Sequence, residues 1–326
     1  MSADSTHPPQ SRLIDLSVFS VEPSEETKRF NAEFEAKLAS MPAAHEVPPA
    51  VTRRARDEGK SIFPLAGPLE GSEWWDIPGY RGRAARVRVT MPEGDPKGVY
   101  LHVHGGGWTL GSPAHFDLYN QRLAKAAGVA VASVEYRLAP ENPWPAGPDD
   151  VWAAVLWLLV SGKAHFGTDK FLIGGESAGA HLISIALQRA KKDGMADLFR
   201  GAVLMYGCYD LCKTPSLRDW GARKLVLSTP TVDWFSANFA DPDLWSSPEI
   251  STLRANVSGM PPALFQVGTL DPLFDDTLLM AKRWVEAGNE AELRVYPGGI
   301  HTYDMFDIPI AHESHAVTAN FVRSKL

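Results

Sequence analysis

The pentapeptide Gly175-Glu176-Ser177-Ala178-Gly179 stands directly between a short apolar run, Phe171-Leu172-Ile173, and a stretch with helical character, Ala178 to Lys192. A chain that passes from strand to helix through one sharp turn holds the central residue in a strained backbone conformation. Its neighbours must then lack side chains that would clash. The helix start aims free N–H groups and a positive dipole end at whatever reacts there. A bare G-x-S-x-G is a common chance pattern. With strand before and helix after, it reads as the seat of a nucleophilic serine, Ser177, rather than as a helix-capping turn with an ordinary serine.

The same alternation runs through most of the chain. Strands are expected at Arg86–Thr90, Gly98–Val103, Val129–Val134, Phe171–Ile173, Ala202–Met205, Ala263–Val267 and Leu293–Tyr296. Helices are expected at Ala114–Ala127, Asp149–Val160, Ala178–Lys192, Phe274–Ala287 and His312–Lys325. Strands alternating with helices give a mostly parallel sheet covered on both faces, and ligands bind beyond the carboxyl ends of its strands. Val129-Ala-Val-Ala-Ser-Val134 is apolar at nearly every position, as a strand covered on both faces must be.

Two regions break this rhythm. Before residue 83, Phe30, Phe34, Leu38 and Met41 fall at helical spacing and Pro42 stops the helix; a looser Arg-, Gly- and Pro-rich stretch follows. The first ten residues are polar and proline-containing, and fraying is expected there. Between Cys208 and Met260, about fifty residues rich in Trp, Pro and Asp separate two core strands, and such a long insertion is more often functional than idle. The expected organisation is a lead-in with cap helices at 1–82, a catalytic core at 83–207 and 261–326, and an insertion at 208–260 that contributes to the cap.

Charge and cysteine use exclude several classes. A net charge of −7 argues against general affinity for nucleic-acid backbones. The basic run Thr52-Arg-Arg-Ala-Arg56 is too short to reverse that and reads as a solvated helix face. Cys208 and Cys212 offer no disulfide framework and read as reduced thiols. The N-terminus lacks an apolar signal-peptide core, and the longest apolar run, Val151–Val160, is too short to span a bilayer. A cytoplasmic protein with no membrane span is expected.

A serine hydroxyl needs a base to take its proton. Of the histidines after Ser177 at a distance, His301 sits in a loop following the last expected strand. His312 and His315 fall in the closing helix, where a surface location is expected and a metal role lacks a third ligand. Asp271, just past the strand Ala263–Val267, suits the acid that orients the imidazole; Asp275 and Asp276 are rivals but fall in the first turn of the next helix. After another strand, His104-Gly-Gly-Gly-Trp108 can turn backbone N–H groups into a concavity for a developing oxyanion. A phosphate loop is disfavoured, since no Lys-Ser/Thr follows and no G-x-G-x-x-G is present.

These motifs, together with Tyr136-Arg-Leu-Ala-Pro-Glu141, Pro145, Asp149-Asp150, Met260-Pro-Pro-Ala263 and Asp271-Pro-Leu273, resemble the hormone-sensitive-lipase-like bacterial carboxylesterases from about Tyr100 to the C-terminus. The resemblance implies an α/β-hydrolase fold with a helical cap, oxyanion N–H groups on Gly106, Gly107 and Ala178, and short-chain acyl substrates. It also allows a homodimer. Two positions depart from the family pattern: Glu176 replaces the usual Asp or Thr, and Thr302-Tyr303 replace a frequent Gly-Phe, and these departures are expected to bear on substrate choice. The expected activity is hydrolysis of a small-molecule ester by Ser177, His301 and Asp271, without metal or other cofactor. Trp108 and Trp234, with Trp220 and Trp245, are expected beside the pocket, where aromatic walls favour compact or aryl esters. An amidase or arylformamidase on the same fold, and a non-catalytic small-molecule receptor, remain as alternatives.

Overall fold

The computed structural model describes residues 21–326; the fraying expected of the first ten residues lies outside them. Eight strands form one sheet: β1 (Ser72–Pro78), β2 (Ala84–Thr90), β3 (Val99–Val103), β4 (Ala130–Glu135), β5 (Phe171–Glu176), β6 (Phe199–Met205), β7 (Ala263–Leu270) and β8 (Ala291–Ile300). Their spatial order is β1-β2-β4-β3-β5-β6-β7-β8. The β1–β2 and β2–β4 pairs are antiparallel and every later pair is parallel.

Nine helices accompany the sheet among the described residues: α1 (Glu25–Ala39), α2 (Pro49–Asp57), α3 (Asp117–Ala127), α4 (Ala146–Phe166), α5 (Ala178–Lys192), α6 (Pro215–Trp220), α7 (Thr229–Phe239), α8 (Phe274–Glu286) and α9 (Pro309–Ser324). Side chains alternate along each strand, so each strand feeds two cores. Leu101, Ile173, Leu204 and Phe265 pack with Val151, Ile183 and Trp284 of α4, α5 and α8. Their sequence neighbours Tyr100, Leu172, Val203 and Leu264 pack with Phe34, Ala124 and Val322 of α1, α3 and α9. That double coverage is why the central strands read as continuous apolar runs.

Two elements go beyond the sequence expectation. β1 pairs with β2 over its whole length, so the sheet starts at Ser72 and not at the expected core boundary of 83. As an edge strand, β1 buries only Ser72 and Ile77, which leaves no clear period in the sequence. The stretch read as loose also contains α2, which starts with proline in its first turn, where no N–H is needed. α4 continues past Val160 to Phe166 and is closed by left-handed Gly167. No helix among the described residues is long and apolar enough to cross a membrane.

Candidate active site

The turn between β5 and α5 puts Ser177 at φ 55° and ψ −119°, in the left-handed half of backbone space. The glycines of the motif have a concrete cause. The backbone of β3 passes so close that a Cβ on Gly179 would fall 1.9 Å from the carbonyl oxygen of Val103. The Ser177 N–H donates to the carbonyl of Met205 at 2.9 Å, which ties the turn to the neighbouring strand. Ser177 Oγ is thereby held at the carboxyl end of the sheet.

His301 follows β8 and Asp271 follows β7, at the same end of adjacent strands. His301 Nε2 lies 2.9 Å from Ser177 Oγ, and its Nδ1 lies 2.8 Å from Asp271 Oδ2. An ionised carboxylate only accepts, so Nδ1 carries the ring proton and Nε2 presents its lone pair to the hydroxyl. Asp271 Oδ1 accepts the Leu273 N–H at 2.8 Å, which fixes the carboxylate plane. Asp271 and His301 are 1% and 2% exposed, and Ser177 is 9% exposed, so the chain of three opens to solvent only at the serine. The rival acids are occupied elsewhere. Asp276 accepts the N–H groups of Tyr209 and Asp210 and the Thr214 hydroxyl, and Asp275 accepts the Ser216 N–H. Both anchor the start of the insertion to α8. Burial raises Asp276 to about 7 against the pull of those donors.

The His104–Trp108 loop leaves β3 beside this turn; a Cβ on Gly105 would stand 3.3 Å from Ser177 Cβ. The loop is pinned at both ends. His104 Nδ1–H donates to the carbonyl of Gly105 at 2.8 Å, and the ring stacks on Tyr136 at 4.3 Å between centroids. Burial lowers His104 to about 3, so the ring is neutral. Trp108 Nε1–H donates to His181 Nδ1 at 3.0 Å, and His181 is itself fixed through Nε2–H to the Ile250 carbonyl. Between these pins, Gly106 and Gly107 adopt φ 126° and 58°. Among the described residues, the N–H groups of Gly106, Gly107 and Ala178 donate to no protein acceptor. Three free donors beside a serine can hold an oxyanion.

These groups open into a cavity of about 280 Å³ whose wall includes Gly106, Gly107, Ser177 and His301. The tryptophans do not reach it. Trp108 is 3% exposed, and its positive φ turns the indole inward onto Phe239, 4.6 Å away between centroids. Trp234 lies against Phe235 on α7; consecutive helical residues point about 100° apart, so Phe235 faces the cavity and Trp234 does not. Trp220 and Trp245 cap nearby carbonyls, of Arg223 and Ala240. The aromatic wall is made instead by Phe63, Phe116, Tyr206 and Phe235.

The basic run of α2 is not a solvated face either. Arg53 grips Glu141 with two 2.8 Å bonds and also donates to the carbonyls of Thr109 and Ala139. Arg56 turns into the cavity wall. Glu176 points at His102, with both oxygens 3.0–3.1 Å from Nε2, while His102 Nδ1 meets Ser133 Oγ at 2.7 Å.

Sequence reasoning passed over Tyr206 and Asp304. Tyr206 packs edge-on against the His301 ring at 4.8 Å and donates to Asp304 Oδ1 at 2.5 Å. Its place at the carboxyl end of β6 was the available signal. Burial raises Asp304 to about 7, with Glu176 pushing the same way. His315 is turned against Tyr119 rather than lying on the surface, and burial lowers it to about 4; His312 pairs with Asp307 at 2.7 Å. Cys208 is buried, Cys212 is exposed, and both are free thiols. Among the described residues no group of three or more His, Cys, Asp or Glu side chains could hold a metal ion.

Comparison with known proteins sets this geometry in a lineage. Residues 100–305 match the family model described as alpha/beta hydrolase fold. The chain is 33% identical over 231 residues to an ethyl acetate hydrolase of Pseudomonas putida, covering 68% of this chain and 72% of that protein. It is 33% identical over 240 residues to carboxylesterase NlhH of Mycobacterium tuberculosis, covering 71% and 74%. It is 31% identical over 229 residues to the carboxylic ester hydrolase LipN of Mycobacterium tuberculosis, covering 67% of this chain but only 60% of LipN. Among solved structures, a hyperthermophilic esterase from the archaeon Pyrobaculum calidifontis superposes with a TM-score of 0.84 at 27% identity, over 93% of this chain and 99% of that one.

Proposed function

The chain belongs to the α/β-hydrolase fold family, in its hormone-sensitive-lipase-like group of esterases, and from that premise we propose that it hydrolyses small carboxylic esters through an acyl-enzyme on Ser177. The observation that carries this reading is the hydrogen-bonded line Ser177–His301–Asp271, at 2.9 and 2.8 Å. Ser177 Oγ attacks the ester carbonyl while His301 Nε2 takes its proton. Asp271 keeps the ring oriented and stabilises the imidazolium that forms. The N–H groups of Gly106, Gly107 and Ala178 receive the negative charge that develops on the carbonyl oxygen. His301 then protonates the departing alcohol, and a water molecule attacks the acyl-serine with His301 again as base.

The segment before residue 83 and the 208–260 insertion act as the cap in this reading. Both contribute to the cavity wall, through Leu38, Met41 and Phe63 on one side and Leu227, Thr231 and Phe235 on the other. His45 Nδ1 and Thr231 Oγ1 join the two at 2.9 Å. A wall of this apolar character suits compact acyl or aryl groups.

The test is a set of hydrolysis rates on nitrophenyl esters of rising chain length, with aryl formamides and amides alongside and the Ser177→Ala protein as control. Rates highest on short esters and abolished by Ser177→Ala support the reading. Faster turnover of the formamide or amide would move the assignment to that reaction class.

A further inference from the structure

Among the described residues, one charge in the cavity wall has neither a hydrogen-bond nor an ion-pair partner. Among the described residues, six arginines are not exposed: Arg53, Arg56, Arg88, Arg137, Arg189 and Arg283. Arg53, Arg88, Arg137 and Arg189 each donate to a carboxylate, and Arg283 donates to the carbonyl of Ala255. Arg56 donates to nothing among the described residues. Its guanidinium carbon lies 4.9 Å from the Phe63 ring centroid and 5.8 Å from that of Phe116, so the charge rests against two aromatic faces. Both rings and Arg56 line the same cavity as Ser177 and His301.

A partly buried guanidinium without an acceptor is costly, because it has given up part of its water and, among the described residues, no carboxylate bonds to it in return; Asp57 acts on it only at longer range. Burial pushes Arg56 down to about 10, which still leaves it protonated at neutral pH. Phe63 and Phe116 offset part of that cost by cation–π attraction and also hold the fork in place. The other charges of the wall are already engaged. Lys60 pairs with Glu58 at 2.7 Å, Lys224 reaches Glu46 at 3.3 Å, and Glu176 is held by His102. A protein of net charge −7 thus presents, among the described residues, one unpaired cation in the wall of its reaction cavity.

We infer that the preferred substrates of this site are esters carrying a carboxylate on one arm, which Arg56 binds through its free N–H groups while Ser177 attacks the ester carbonyl. This rests on the esterase reading of the site. A planar fork of donors matches a carboxylate in a two-point contact, and pairing a partly desolvated charge adds to the gain. The carboxylate belongs either to the acyl arm, as in a monoester of a dicarboxylic acid, or to the alcohol arm, as in an ester of a phenolic acid.

The experiment compares matched pairs. For the acyl arm, monomethyl adipate is set against methyl heptanoate, both read by methanol release. For the alcohol arm, para-carboxyphenyl butyrate is set against para-tolyl butyrate, both read by phenol release. The quantity measured is the ratio of kcat/KM, charged over neutral, within one enzyme sample, so a partly misfolded variant does not distort it. In wild type the ratio exceeds about ten in at least one pair, and in Arg56→Met it falls by about 10–100-fold, as loss of a hydrogen bond to a charged group implies. Arg56→Lys keeps part of the preference, and added salt weakens it. Hydrolysis of the neutral esters with no preference in either pair overturns this inference and leaves the esterase reading standing. So does a preference that survives Arg56→Met. Failure to hydrolyse any of the four overturns both.

Discussion

A Cβ on Gly107 would stand 2.4 Å from the ring of Phe235, so the inserted helix α7 rests directly on the loop that carries the free N–H groups. Backbone and insertion are thus fitted to each other at the point where an oxyanion would form. Gly107→Ala places a methyl group into that ring and holds alanine at φ 58°, a region that costs roughly 1–2 kcal/mol per residue. We expect kcat to fall by about 10²–10³, the cost of losing one oxyanion donor. Adding Phe235→Ala recovers part of the loss if the ring is the obstacle. An unchanged kcat in Gly107→Ala removes this residue from the oxyanion role.

Ser177→Ala lowers kcat on the order of 10⁶-fold, as in other triads. Asp271→Asn lowers it by about 10⁴-fold, because an amide can donate to Nδ1 and favour the wrong tautomer. Steady-state rates on a short ester, with folding checked by circular dichroism, decide both. Wild-type turnover in either variant contradicts the assignment.

Trp108 pins the loop through its indole N–H to His181. Trp108→Phe keeps the ring against Phe239 but leaves the buried His181 Nδ1 without its donor. Stability falls by about 1–3 kcal/mol, the usual cost of an orphaned buried group. A denaturant midpoint measures it. A raised KM with no loss of stability would return Trp108 to the pocket wall.

Asp304 gives the protein a pH signature. Burial lifts it to about 7 in the native state, whereas an unfolded aspartate titrates near its ordinary value of about 3.9. Between those values the native state keeps a proton that the unfolded chain has released. Stability is therefore full below about pH 4 and is lost as pH rises towards 7. The loss between about pH 5 and pH 7 amounts to at most about 3 kcal/mol. Asp304→Asn removes this term, so its melting temperature relative to wild type climbs over that interval. A constant difference between the two proteins rules out the raised value.

The cap proposal has its own consequence at Arg53, which joins α2 to Glu141 and to the carbonyls of Thr109 and Ala139. Arg53→Ala leaves those carbonyls without their donor and loosens α2, and proteolysis within the segment before residue 83 is expected to accelerate. Unaltered cleavage rates argue that other contacts hold that segment.

The meeting of Ser177, His301 and Asp271 in one hydrogen-bonded line was legible in the chain because each follows a strand, and a parallel sheet brings such loops to one edge. α5 was bounded correctly because its start is set by local backbone chemistry at Ser177 and its residues are locally periodic. β1 was missed because an edge strand with two buried residues carries almost no period. The tryptophans misled for a different reason: a large apolar side chain fills whichever space the backbone aims it at, and a positive φ at Trp108 aimed it away from the cavity. Arg56 was hidden in a run of like charges. Only the packing of α2 against Phe63 and Phe116 separates it from exposed Arg54.

By itself, then, the order of apolar runs, glycine turns and polar loops determined the sheet from β2 onward, its mostly parallel sense and the loops from which Ser177, His301 and Asp271 meet. Those features depend on local sterics and on periodicity, which neighbouring residues encode. The tertiary structure alone decided which side chains wall the cavity and, among the described residues, which of its cations are paired and which is left free. Such outcomes depend on contacts between segments far apart in the chain, such as Gly107 with Phe235 and Arg53 with Glu141, and no local pattern carries them.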